Sequence, residues 1–187
     1  MFSSIPTPTV SMGRIVLLVL ATLALAGCES MSAPECKVAD WYRVGLGDGA
    51  GGERESRIAD YTEDCAKVGI KPDAPLYRRG WDAGIAQFCT AANGWREGVQ
   101  GHSGKSSVCL GQAGYPAFSH YFEAGLQVYR VNEQMQLNAR ESYRLQQRLE
   151  STKSDEEAKN LRQDLRHLDR EQLQLRNYLI QLQMLTP

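Results

Sequence analysis

Neither sign of charge dominates this chain: 21 lysines and arginines stand against 22 aspartates and glutamates. Without a basic excess there is no reason to expect nucleic acid or an acidic ligand as partner. Long hydrophobic runs are missing too. The longest, Ile15 to Ala26, has 12 residues, short of the ~20 that a bilayer-crossing helix needs. Histidine is scarce, with only His102, His120 and His167. No GxSxG, HExxH or phosphate-cradling glycine pattern accompanies them. Ser103, Ser106 and Ser107 lie close to His102, but proximity along a glycine-rich loop does not make a triad. Asp48 and Asp82 are the one candidate carboxylate pair, and helix-face hydrogen bonding accounts for them equally well. The chain is therefore not expected to be an enzyme, and no catalytic residue, cofactor or metal is assigned.

What is present begins at the N-terminus. A polar start with a single charge, Arg14, leads into the apolar run and then into Leu25-Ala26-Gly27-Cys28. That order has the length and layout of a signal peptide, and its end resembles the lipobox of bacterial lipoproteins. The resemblance implies removal of residues 1–27 and a lipid on Cys28, with residues 28–35 as a tether to the membrane surface. Glu29, where an aspartate would signal retention at the inner membrane, implies an outer-membrane lipoprotein facing the periplasm. Cleavage removes only Arg14 among the charges and leaves 20 basic and 22 acidic residues.

Four cysteines follow Cys28: Cys36, Cys65, Cys89 and Cys109. In an oxidising compartment an even count implies two disulfides. The expected pairing is Cys36–Cys65 and Cys89–Cys109. Residues 38–50 and 55–68 both read as helical, and folding them back at Gly49-Ala-Gly-Gly52 brings 36 opposite 65. The second bridge would close the glycine-rich loop 90–108. A zinc site built from these cysteines with His102 or His120 lacks a C-x2-C pair.

Composition shifts near residue 117. Fourteen of the 17 glycines lie between 45 and 114, and only Gly125 follows. An aromatic-x-x-Gly element recurs at Tyr42–Gly45, Tyr77–Gly80 and Trp95–Gly98 in the first region, 36–117, and at Phe122–Gly125 just beyond it. On a helix this spacing puts ring and glycine on one face. Each helical glycine costs ~1 kcal/mol against alanine, so its recurrence predicts tight helix packing. The functional alternative makes Trp41, Trp81 and Trp95 a stacking platform for a glycan or a small molecule.

The second region, 118–187, reads as long helix. Leu161, Leu165, Leu168, Leu175, Leu179 and Leu182 form a coiled-coil seam, with Gln172 filling one core slot. Ser154 and Glu157 form a capping box between two apolar runs that are out of phase, which predicts a helical hairpin with arms of about 30 residues. One unbroken helix is the alternative.

Taken together, Cys36-x3-Asp-Trp-x3-Gly-x2-Asp-Gly-Ala, Cys65-x3-Gly-x2-Pro-Asp, Tyr77-x2-Gly-x3-Gly-x4-Cys89 and Asn93-Gly-x3-Gly-x2-Gly with Cys109 resemble small proteobacterial lipoproteins that carry a domain of unknown function, number 2799. The resemblance covers about 36–130. Lys105-Ser-Ser107 departs from it, standing where a tyrosine is expected before the last cysteine. The expected fold is mainly α: a small glycine-rich, disulfide-stabilised helical domain followed by a long helical hairpin or coiled coil. The expected role is structural or interactive, with the leucine seam presented to an envelope protein or to a second copy of the chain.

Overall fold

The computed structural model describes residues 29–187, so the proposed leader and Cys28 lie outside the described residues. The chain is mainly α. Its helices are α1 (Ala33–Val38), α2 (Trp41–Ala50), α3 (Ile58–Ala66), α4 (Ala74–Phe88), α5 (Ala91–Val99), α6 (Tyr115–Ser151) and α7 (Asp155–Gln183), with 3-10 turns at Glu55–Arg57 and Ser103–Cys109. Among the described residues there is no strand, and no helix is long and apolar enough to cross a membrane.

The chain divides into two compact units, and the division is not the expected one. Among the described residues, the first holds 29–39 together with Ile58–Pro72; the second holds Asp40–Arg57 and Asp73–Pro187. In the first unit α1 packs on α3, and the Cys36–Cys65 bridge joins them with Cα atoms 5.5 Å apart. A six-residue helix is too short to persist alone, so α1 relies on its cap and its crosslink. The cap is the backbone N–H of Ser32 donating to the Glu35 carboxylate at 2.8 Å. The predicted pairing is correct, but the helix pair invoked for it does not form. The chain turns extended at Ala39, and Asp40 caps a new helix by accepting from the Arg43 N–H at 3.1 Å. Residue 36 therefore sits on α1, while α2 belongs to the second unit and packs on α4.

The second unit uses one construction twice. In α2 and α4, Gly45 lies against Tyr77 and Trp81, and Gly49 against Trp81 and Ile85, so the two helices run parallel at their crossing. A Cβ at Gly45 would lie 2.0 Å from the Tyr77 carbonyl oxygen, and one at Gly80 would lie 2.0 Å from that of Tyr42. Backbone thus meets backbone on both sides. The loss in helix propensity is offset by dense interhelical contact. In α5 and α6, Gly94 lies on Phe118, Gly98 on Phe122 and Gly125 on Trp95, again in parallel. Gly45-x3-Gly49-x2-Gly52 in the first copy corresponds to Gly94-x3-Gly98-x2-Gly101 in the second. Each copy then has a left-handed glycine under an aromatic ring: Gly52 (φ 66°) beneath Phe88, and Gly101 (φ 74°) beneath Tyr129. The predicted tight packing is present. The true repeat is a glycine pair spaced by four residues, which the aromatic-x-x-Gly reading caught in two different registers.

The copies join through aromatic rings, a tilted pair across the join and a stacked pair within α6. Phe88 and Phe118 centroids lie 5.6 Å apart, and Phe118 and Phe122 lie 5.7 Å apart. Cys89–Cys109 spans the join with a Cα separation of 5.6 Å. The stretch 90–108 is not the loop expected, since α5 and a 3-10 turn fill most of it.

The hairpin forms. Its first arm, α6, has 37 residues, about 55 Å at 1.5 Å per residue. The composition shift near 117 falls inside this helix, whose first turns pack on α5, so it is not a boundary between units. At the turn, the Ser154 hydroxyl accepts from the Glu157 N–H at 3.3 Å, while Thr152 Oγ1 and Arg148 each donate to the Glu157 carboxylate at 2.5 Å. These bonds, Thr152 first, hold the Glu157 carboxyl below its ordinary pKa. Along α6 the seam is Val128, Val131, Met135, Asn138, Ser142, Leu145 and Leu149, an alternation of three and four residues that matches the leucines of α7.

The centre of that seam is polar. Asn138 Nδ2 and Gln172 Oε1 are buried without a hydrogen-bond partner. Polar seam residues fix register at a cost in stability. The double variant Asn138→Leu, Gln172→Leu should therefore gain about 2 kcal/mol, read as a higher midpoint in urea.

Candidate functional site

Three places carry side chains arranged beyond what packing requires. The first is the start of the described chain. The Ser30 N–H and hydroxyl donate to Asp64 Oδ2 at 2.7 and 2.6 Å, and Lys67 donates to Oδ1 at 2.8 Å while lying 3.6 Å from Glu29. The bonds from Lys67 and then Ser30 push the Asp64 carboxyl far below the carboxylate range. A depressed carboxylate contributes above its unfolded pKa and loses that contribution only as pH falls through its folded value, so the clamp persists in mild acid. The expected tether 28–35 is thus short, because the chain is fastened to α3 from residue 30 and helical from residue 33.

The second place is a cleft of about 600 Å³ between the two repeats, lined by Gly52, Glu53, Arg54, His102, Ser103 and Lys105 among others. Glu97, only 8% exposed, sits 2.8 Å from His102 Nδ1 through Oε2. Lys105 crosses between the repeats, donating to the Gly51 and Gly52 carbonyls at 3.0 and 3.1 Å and to Glu53 at 3.0 Å. That bond holds the Glu53 carboxyl below its ordinary pKa. Glu97 precedes Gly98 as Asp48 precedes Gly49, so the repeat itself marks the two acids. Sequence reasoning passed over Glu97 because an acidic residue in a presumed loop carries no signal.

The third is the outer surface of the hairpin. Leu161 and Leu182 are buried, Leu165, Leu168, Leu175 and Leu179 are half-buried, and Leu175 and Leu179 pack against the cluster that Leu182 forms with Val128 and Val131 of α6. The leucine seam is therefore spent on the chain's own hairpin. Leu173, Ile180 and Met184 remain outside it, with 58%, 59% and 80% of their surface exposed. Their spacing of seven and four residues puts them on one face of α7.

The remaining candidates disperse. Asp48 accepts from the Tyr77 hydroxyl at 2.8 Å and faces Arg57 at 3.9 Å, whereas Asp82 bonds Arg78 at 3.0 Å. Each carboxylate has its own cation. The Ser107 hydroxyl donates to the Gly104 carbonyl, so it is turned to local structure. Ser103 lines the cleft beside His102, and Ser106 is half-buried. His120 stands exposed against the edge of Tyr121, and His167 is exposed on α7. The three tryptophans do not form one platform: Trp41 and Trp81 are buried, Trp81 donates to the Glu53 carbonyl at 2.9 Å, and Trp95 is half-buried against the cluster of Val128, Val131 and Leu182. All four cysteines of the fold are used in disulfides.

Residues 40–127 match a family described as protein of unknown function (DUF2799). The match takes in both glycine-paired repeats and stops within α6. No curated protein and no solved structure matches the chain.

Proposed function

We propose that this chain, which matches that family over residues 40–127, is a lipid-anchored protein of the bacterial envelope. It is held at the outer membrane through Cys28, faces the periplasm, and serves to present its helical hairpin to an envelope protein. The supporting observation is the exposed row Leu173, Ile180 and Met184 on an arm whose own seam is already closed. Exposed apolar rows of this kind mark interaction sites. Support for the anchor is the order of charged start, short apolar core and Leu25-Ala26-Gly27-Cys28.

Two measurements test the two parts separately. Mass spectrometry of the mature protein should find diacylglycerol on Cys28 as the first residue; an unmodified N-terminal methionine removes the anchor. Crosslinking in envelopes should capture a partner that the variant Leu173→Ser, Ile180→Ser loses while its helix content is unchanged. Capture that persists in the variant, or a crosslinked product containing only this chain, overturns the partner reading.

A further inference from the structure

We propose that the cleft between the two repeats binds a small ligand through a carboxylate group. Its volume, about 600 Å³, falls within the range of small-molecule sites. Its walls are fixed before any ligand arrives. Gly52 and Gly101, both left-handed, are each covered by a ring, and Lys105 ties one loop to the other through three bonds.

The charges in the wall favour an anion. Lys105 is neutralised by Glu53, which leaves Arg54 as a lining cation with no counter-charge among the described contacts. Arginine presents a planar fork that matches a carboxylate in two parallel hydrogen bonds. His102 adds a second group. Its Nδ1 is engaged by buried Glu97, which fixes the ring and leaves Nε2 as the nitrogen open to a ligand. Ser103 lines the same wall and supplies a hydroxyl. One carboxylate therefore meets a fork, an oriented imidazole and a hydroxyl in a pre-formed site.

Two sources share this chemistry, a peptide with a free C-terminus and an acidic sugar. The test uses isotope-labelled full-length protein in detergent, titrated separately with N-acetyl-alanyl-alanine and with glucuronate, and with chloride as control. The expected result is saturable NMR shifts at residues 52–54 and 101–105 with one of the two organic acids and none with chloride. Arg54→Ala, an exposed position, should weaken binding about tenfold, and His102→Gln should weaken it too. Shifts that do not saturate, that chloride reproduces, or that survive Arg54→Ala unchanged overturn the proposal. Whether the peptide or the sugar saturates the site identifies its source.

Discussion

Replacing Gly80 with alanine should lower the stability of the second unit by about 3 kcal/mol, and replacing Gly47 with alanine should raise it. The two changes are chemically identical and sit on helices that touch. At Gly80 the new methyl would meet the Tyr42 carbonyl oxygen at 2.0 Å and the Leu46 nitrogen at 2.9 Å. Both are backbone atoms of α2 and cannot rotate aside, so the helices must separate and lose contact along their whole crossing. At Gly47 a methyl would meet nothing within 4 Å, and the gain is the intrinsic preference of a helix for alanine, roughly 0.5–1 kcal/mol. Urea unfolding reads both. With a slope near 2 kcal/mol per molar, Gly80→Ala should move the midpoint down by about 1.5 M. Equal midpoints for the two variants would mean that α2 and α4 are not in backbone contact.

Removing each disulfide should have a different effect, although the loops they close are similar in length, with separations of 29 and 20 residues. On chain entropy alone each contributes about 3.5 kcal/mol. The first unit has little else: helices of six and nine residues around Cys36, Tyr61 and Cys65. The variant Cys36→Ala, Cys65→Ala should therefore melt α1 and α3, with amide exchange in Ile58–Ala66 approaching unfolded rates while the second unit remains protected. The Cys89–Cys109 bridge lies in a unit that also holds Tyr77, Ile85, Phe118 and Phe122, all fully buried. Its removal should lower the melting midpoint by about 10 °C without local melting. Loss of protection in α5 and α6 would contradict that division.

Much of this architecture can be read from residue order. The hairpin turn at Ser154 and the polar slot at Gln172 follow from spacing and capping chemistry that act over a few residues, whereas the disulfide pairing, though correct, rests on contacts across 29 and 20 residues that the local reading placed on the wrong elements. The division into units cannot be read the same way. It depends on Asp40, whose capping bond ends one helix and starts another within what looks like one continuous segment. The stretch 90–108 misleads for a related reason. Glycine is a poor helix former locally, yet Gly94 and Gly98 are helical because α6 lies directly on them. Tertiary contact overrides propensity there. Tryptophan spacing alone does not separate core from surface, and the Glu97–His102 pair depends on the fold of the turn after α5, which brings the two side chains within 2.8 Å.

Because both repeats use the same grooved helix face, α4 and α5 are built to fit each other as well as their own mates: each carries Gly-Trp-x-x-Gly followed by isoleucine or valine. Connectivity rules out that match. Only Cys89 and Thr90 lie between the two helices, and a two-residue link forces a reversal of direction where the groove demands parallel alignment. The proper mates are separated by residues 51–73 and 100–114, long enough to return the chain to its starting end. Lengthening the link after α4 would therefore release a competing fold that the present chain forbids by reach alone.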